Sequence, residues 1–466
     1  MLNPYQTGYL RDVNPWWNRT REVSYPQWVD RDETAWVLSS IGSGVRLLYL
    51  TGARRVGKST VLRQATPRLA ERCVTLYASA EDLIAYGGGV GLVDELLAFL
   101  ETEVVVAPLA SRPVVLLLDE IHHLPRWQQQ VKRFYDARPN LSFVLTSSQS
   151  PRVQKGKESL AGRVLQRELL PFSFGESLRL LGVPCPPALG ESAQCWRRFF
   201  AKRDVAELRD GLTDCFRQLS PSWNELATQF ALHLRRGGFP EWAGQTGAGV
   251  AREYFRDAIV SKVINEDIPA GFGVTDRALL QRLFHIALSR SGNEINMSGV
   301  ASQLGVGRVT VNNYFHYLAE THLIHFVPRH AASMVGRSRS FFKVFAADSG
   351  LFWTFEQLAR HSESELIGPA AEIAVHTALR RLAGAEASCC YYRDRQKREV
   401  DFLLELGPGQ HLPIDVKTAP RVPTDADRLL QRMMAELKAP VAVALSNEGL
   451  SVSTSVLHVP LLMLCA

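Results

Sequence analysis

No stretch of this chain approaches the roughly eighteen consecutive apolar residues that a membrane-spanning helix requires. The first thirty residues, which include Arg11, Asp12, Arg19, Arg21 and Glu22, also lack the apolar segment of a secretory leader. The expectation is a cytoplasmic protein with no membrane partner. Cysteine is sparse and unpaired in spacing: Cys73, Cys185, Cys195, Cys215, Cys389, Cys390 and Cys465 form no CxxC pattern, which argues against a zinc site and against a disulfide framework. They read as reduced thiols that mostly fill cores. Neither sign of charge dominates, since 53 Lys and Arg oppose 47 Asp and Glu. The resulting +6 permits a polyanionic partner without requiring one.

The distribution of charge says more than its sum. Arg152, Lys155, Lys157, Arg163 and Arg167 stand against one acid, Glu158, and Arg329, Arg337, Arg339 and Lys343 fall in a stretch with none. Each run reads equally as a solvated loop face or as a surface for a polyanion. At 466 residues the chain exceeds what one core usually organises, so two to four domains are expected.

The most specific pattern begins with the apolar run Val45 to Leu50, read as a buried parallel strand, followed at once by Gly52-Ala53-Arg54-Arg55-Val56-Gly57-Lys58-Ser59-Thr60. A helix is expected from about Lys58. Glycines 52 and 57 let backbone N–H groups close around phosphates, Lys58 reaches the terminal phosphates, and the Ser59 hydroxyl can hold Mg2+. A second aliphatic strand, Pro113 to Asp119, places Asp119 to organise Mg2+ and Glu120 to orient and deprotonate an attacking water. ATP with Mg2+ is therefore the expected ligand. A third strand, Leu141 to Leu145, ends in Thr146-Ser147-Ser148; Thr146 is a candidate sensor of the terminal phosphate, although such clusters also punctuate ordinary strand ends.

These motifs, with Leu160-Ala161-Gly162-Arg163 leading to Leu170-Pro171-Phe172 and Glu176, resemble the prokaryotic AAA+ ATPases that carry a C-terminal restriction-endonuclease-like domain. The resemblance runs from about residue 5 to the end. Ser147 stands where the family often has glycine, and residues 183 to 223 form a lengthened segment outside the pattern. By resemblance, Arg163 is the candidate arginine that completes a neighbouring subunit's site in a homo-oligomer, a hexamer being one such arrangement. Arg235 and Arg236, before Gly237-Gly238-Phe239-Pro240, compete for a phosphate-sensing role.

Between the prolines of the 183 to 223 segment, Cys195 to Arg217 reads as helix. Its Trp196, Phe199 and Phe200 beside Arg197, Arg198, Lys202 and Arg203 suit either nucleic acid or simple packing of an aromatic stripe. From Asn296 to Val327 short helices alternate with tight turns. Val300 to Gly307 followed by Val309 to Leu318 resembles the helix-turn-helix of a winged-helix domain, with His322 to Pro328 as the first wing strand. Arg308, Thr310, Asn312 and Asn313 lie where groove contact with DNA would occur.

Near the C-terminus, Gly368 to Glu372 opens a helix, Tyr391 to Arg393 and Glu399 to Leu404 read as a hairpin, and Pro413 to Lys417 as the next strand. Alternation places Asp415 and Lys417 on one face, which Asp401 can join. With Glu372 these acids could hold a second Mg2+ against a phosphodiester; an exposed ion-pair face is the plainer reading. The order of acid, then acid-x-lysine, looks like the endonuclease-fold core, with Asp415 where glutamate is common.

The expected fold is α/β: a P-loop AAA+ parallel sheet with helices on both faces (1–180), a helical lid with an inserted segment (181–285), a winged-helix domain (286–345) and an endonuclease-like α/β domain (346–466). The leading function is an ATP-hydrolysing motor on DNA, including branched DNA in recombination, repair or defence. A regulatory switch that binds protein and an ATP-gated nuclease are the alternatives.

Overall fold

The structure, a computed structural model, describes residues 2–18, 29–149, 160, 162–243, 253–330, 341–353, 362–394, 396, 398–418, 424–447, 449–452 and 456–466. Two compact units divide the chain, Met1–Leu169 and Leu170–Ala466.

The first unit contains helices α1 (Pro4–Val13), α2 (Asp32–Gly42), α3 (Lys58–Ala70), α4 (Ala80–Ala85), α5 (Leu92–Phe99) and α6 (Trp127–Ala137). They flank strands β1 (Leu47–Thr51), β2 (Val74–Ser79), β3 (Val114–Asp119), β4 (Leu141–Ser147) and β5 (Leu165–Glu168). All neighbours are parallel, in the order β2-β3-β4-β1-β5. Continuous aliphatic runs explain the strands: every residue of β1 and β3 is buried, as a sheet covered on both faces demands. Leu47, Leu76, Leu116, Phe143 and Leu145 share one apolar cluster at full burial. Because β1 sits between β4 and β5, its loop emerges beside the carboxyl ends of β3 and β4, where open parallel sheets collect ligands.

Edge strand β2 is held by a side chain that imitates backbone. The Asn14 amide donates to Tyr77 O at 2.8 Å and accepts from Tyr77 N at 2.7 Å, and it also donates to Leu10 O.

In the second unit, α7 (Phe174–Leu180) starts at a capping box of Ser173 and Glu176. The expected helix from Cys195 to Arg217 is two helices, α8 (Pro187–Lys202) and α9 (Val205–Leu219). Arg203 adopts the left-handed conformation (φ 64°) and Asp204 caps the new helix through Glu207 N. Trp196, Phe199 and Phe200 are buried, so the aromatic stripe is packing and not a nucleic-acid platform. Next come α10 (Trp223–Arg236), α11 (Arg277–Ser289), β6 (Glu294–Ile295), α12 (Met297–Leu304), α13 (Arg308–Glu320), β7 (Ile324–Pro328) and β8 (Phe342–Ala346). Asn296 caps α12 and Gly305 (φ 65°) turns the chain into α13. The antiparallel sheet β6-β8-β7 lies against these helices.

Helix α14 (Glu363–Ala383) begins five residues before the expected Gly368, because Ser362 and Glu365 form a capping box and Pro369 is accommodated inside. It precedes β9 (Ser388–Arg393), β10 (Glu399–Gly407), β11 (Gln410–Val416), α15 (Thr424–Leu437), β12 (Ala442–Ser446), β13 (Ser451–Val452) and β14 (Val456–Pro460). These strands form one mixed sheet, β13-β14-β12-β11-β10-β9. Leu430 and Met433 of α15 pack on Val400, Ala442, Ala444 and Val456.

Among the described residues no helix is long and apolar enough to cross a membrane. Of the two basic runs, Arg152, Lys155, Lys157, Arg337 and Arg339 lie outside the described residues, and so does Ala161. Arg167 stacks 5.0 Å from the Trp36 ring centre, and Arg329 donates to Arg393 O. Lys343, which the sequence grouped with a surface for polyanions, is fully buried among carboxylates.

Replacing Asn14 with alanine leaves the Tyr77 N–H and C=O buried without partners, and urea unfolding should register a loss of about 2 kcal/mol.

Candidate active site

The loop after β1 is fixed by backbone geometry. Gly52 (φ 150°) has no room for a side chain: a Cβ there would stand 2.4 Å from Leu169 O. Gly57 (φ 106°) precedes the first residue of α3, and Arg55 takes a left-handed conformation (φ 63°) between them. Val56 O accepts from the buried guanidinium of Arg31 at 3.0 Å, which anchors the loop from the side. Ala53 and Val56 are buried, whereas Arg55 is exposed and Arg54, Ser59 and Thr60 are half-buried.

Lys58 is buried and its Nζ donates to Gly52 O and Ala53 O at 3.1 Å each. The same ammonium lies 3.4 Å from Glu120 Oε1. Glu120 follows β3 in the left-handed region (φ 47°), a conformation that costs energy for a residue with a side chain and turns its carboxylate back over the sheet edge. Its N–H donates to Thr146 Oγ1 at 2.9 Å, and its Oε2 accepts from Ser148 N at 3.0 Å. Burial by itself would raise the Glu120 carboxyl, but Lys58, His122 and the Ser148 N–H together hold it down at about 2.

Asp119 responds in the opposite direction. Burial and then the Glu120 charge push its carboxyl above the usual range, against hydrogen bonds from Ser59 and Thr146 and the charge of Lys58. Thr146 donates to Oδ1 and Tyr77 OH to Oδ2. The Asp119 carboxylate and Ser59 hydroxyl, in mutual contact, are hard oxygen donors of the kind Mg2+ prefers, so these two residues fit that ion. His122 Nδ1 stands 3.3 Å from Glu120 Oε2 and 3.1 Å from Ser147 Oγ. Burial lowers its pKa to about 4 despite Glu120, so at neutral pH the contact is dipolar and not an ion pair.

The structure thus brings Gly52, Gly57, Lys58, Ser59, Asp119, Glu120 and Thr146 together at one sheet edge. Arg163 stands apart from them on the turn before β5, paired at 3.3 Å with Asp136. Arg31, Tyr77 and His122 were not marked as site residues by the sequence. Of these only His122, two residues past Glu120, carried a local signal.

Arg235 and Arg236 end α10. The glycines after them are dictated by packing: a Cβ on Gly237 would meet Asp348 Oδ1 at 1.8 Å, and one on Gly238 would meet Phe172 O at 2.3 Å. Arg308, Asn312 and Asn313 are exposed on the first turns of α13, with Thr310 half-buried. A cleft of about 610 Å³ runs past Met297, Arg308, Asn312, Phe315, His316 and Phe326.

In the C-terminal sheet, a register shift between Val400 and Leu403 is a β-bulge beside Asp401. Asp401 Oδ2 accepts from Val416 N at 3.0 Å and lies 4.0 Å from Lys417 Nζ, which is 2.8 Å from Asp415 Oδ2. Burial and then Asp401 push the Asp415 carboxyl up to about 7 against Lys417. Glu372 joins through a second lysine: with Glu399 and Asp401 it surrounds Lys343 Nζ at 3.8, 2.6 and 3.4 Å. Burial would lower the Lys343 pKa, but these three acids raise it overall.

The five-stranded parallel sheet with its phosphate loop and paired acids is the P-loop AAA+ fold. Residues 45–178 match the family described as an AAA domain. Residues 227–362 and 367–462 match two families described as domains of unknown function, DUF8612 and DUF4143. The uncharacterized protein MJ1544 of Methanocaldococcus jannaschii is 23% identical over 294 residues, 62% of this chain and 58% of that protein. The chain therefore spans less than two thirds of the curated relative it matches. Among solved structures, the Thermotoga maritima RuvB Holliday junction branch migration motor is similar at 17% identity and a TM-score of 0.29, covering 64% of this chain and 92% of that one. AMPPCP-bound DnaA from Aquifex aeolicus gives 14%, 0.25, 66% and 92%.

Removing the buried cation by Lys343→Met leaves Glu372, Glu399 and Asp401 facing one another, and denaturant unfolding at pH 8 should show a loss of about 3–5 kcal/mol.

Proposed function

We propose that this protein hydrolyses ATP at the sheet edge formed by the loop after β1 and the ends of β3 and β4, and couples turnover to movement of its second unit. The observation that carries the reading is the convergence of Lys58, Glu120, Asp119, Ser59 and Thr146 on one point. Mg2+ held by Ser59 and, through water, by Asp119 would neutralise charge on the phosphates. Backbone N–H groups from Ala53 to Thr60 cradle the triphosphate, and Lys58 meets its terminal oxygens as a point charge.

Glu120 acts on the attacking water. While Lys58 is its partner the carboxylate is a weak base, since a proton acceptor works best near the ambient pH. As Lys58 turns to the phosphates, Glu120 loses the charge that holds its pKa low and gains proton-accepting strength. Thr146 is a positioning residue in this scheme, because its hydroxyl bonds both the Asp119 carboxylate and the Glu120 amide. Arg163 is assigned to a neighbouring copy's nucleotide in a homo-oligomer; its partly exposed contact with Asp136 is the kind of surface pair that exchanges at little cost.

For the second unit we favour DNA as the partner. The sequence of α12 and α13 with β6, β7 and β8 supports reading this part as a winged-helix domain, and the exposed Arg308, Asn312 and Asn313 suit groove contact. The order β9-β10-β11-β12 of the C-terminal sheet, with α14 before it and α15 inside it, supports reading it as an endonuclease-like core. We read it as a binding or structural domain without cleavage chemistry, because Lys343 already supplies a cation to Glu372 and Asp401. The proposed divisions are 1–180, 181–285, 286–345 and 346–466.

Glu120→Gln should lower ATP turnover by about 10²–10⁴-fold while nucleotide is still retained, and Lys58→Ala should abolish both, as followed by phosphate release and fluorescent-nucleotide binding. Hydrolysis by the wild-type protein should rise with single-stranded, duplex or four-way-junction DNA. A rate indifferent to all three would favour the protein-binding switch instead.

A further inference from the structure

Cys390, Glu405 and His330 come together on the C-terminal sheet, from three segments of the second unit. Strand register explains how. Leu403 of β10 pairs with Cys390 of β9, while Glu405 pairs with Ser388 on one side and with His411 of β11 on the other. Since Leu403 and Glu405 are two residues apart, Cys390, Glu405 and His411 share one face of the sheet. His330 is delivered to that face by the chain beyond β7: Arg329 bridges to Tyr391, and His330 N donates to Tyr391 O at 2.7 Å.

The ligand-type atoms are close. His330 Nδ1 lies 3.1 Å from Glu405 Oε1, and Cys390 Sγ is 3.9 Å from each of them. Tetrahedral zinc with bonds of about 2.0–2.3 Å keeps its ligands about 3.3–3.8 Å apart, so only small shifts would seat an ion. Among the described residues this is the one group of three or more such ligands that lies within 4.8 Å. Cys390 is buried and the other two are largely so, with side chains 16% exposed. The His411 ring stands edge-to-face with His330, centres 5.4 Å apart, and packs against the imidazole from the neighbouring strand. Ser388 Oγ donates to Glu405 Oε2 at 2.9 Å, the sort of outer contact that orients a ligating carboxylate.

We propose that His330, Cys390 and Glu405 form a transition-metal site of zinc type, its fourth position taken by solvent. Thiolate and imidazole together select zinc or cobalt over magnesium. Asp401 is four residues from Glu405 along β10, about 13 Å at ~3.3 Å per residue, so the site is separate from the acidic cluster. The metal would pin the chain that leaves β7 to the edge strand β9, tying the small three-stranded sheet to the large mixed one. This assignment does not depend on ATP hydrolysis or on DNA.

Cobalt reports the ligands directly. Titrated with Co2+ in reducing, nucleotide-free buffer, the full-length protein should bind one equivalent and develop both a near-ultraviolet thiolate charge-transfer band and the visible bands of four-coordinate cobalt. Cys390→Ser should lose the charge-transfer band, and His330→Gln should weaken binding at least about tenfold. Ser388→Ala should weaken it by about 10- to 100-fold, and Cys389→Ser should leave it unchanged. Circular dichroism of each variant separates lost ligation from lost folding. Absence of the band in the wild-type protein would overturn the assignment, leaving a thiol hydrogen-bonded to Leu403 O and a His–Glu pair; so would persistence of the band in Cys390→Ser.

Discussion

One ammonium group organises the phosphate-binding edge of this molecule. Lys58 is almost completely buried, and it lies 3.4 Å from a carboxylate that is itself next in sequence to another. The Coulombic attraction at that distance is about 5 kcal/mol for an effective dielectric of about 20. It keeps Glu120 ionised inside protein, and it leaves the energetic burden of burial on Asp119, whose pKa rises. Two neighbouring acids are thus driven to different proton affinities: Lys58 holds Glu120 low, while burial and the Glu120 charge push Asp119 up. The left-handed backbone at Glu120 is the local cost of aiming its side chain there.

A second buried lysine imposes an analogous constraint in the C-terminal sheet. Lys343 gathers Glu372, Glu399 and Asp401 around one buried ammonium. On the same strand β10, Glu405 turns toward a thiol and an imidazole. One strand therefore carries two charge clusters of different chemical hardness, and the sheet register decides which residues each receives.

The parallel sheet and its loop were legible because the signal is local: consecutive aliphatic strands, glycines 52 and 57, and Asp119-Glu120 directly at a strand end. Thr146 was legible for the same reason, sitting at the end of β4. What escaped was every contact supplied from a distance. Tyr77 and Arg31 reach the site from other elements, with nothing in their own neighbourhood to mark them. Lys343 looked like part of a basic surface because its acidic partners are 29 to 58 residues away in sequence. The break between α8 and α9 was hidden by continuous amphipathic character, which Arg203 interrupts by conformation and not by composition. Likewise Cys390 follows Cys389 with no CxxC spacing, and only strand pairing places it near Glu405 and His330.

On the proposed reading the sheet edge turns nucleotide over and does not merely hold it. The most direct measurement is phosphate release from ATP by the purified wild-type protein, with and without Mg2+, at nucleotide saturation verified independently. Repeated turnover that requires Mg2+ is the expected result. Saturated binding of Mg2+ and ATP with no phosphate released would contradict it.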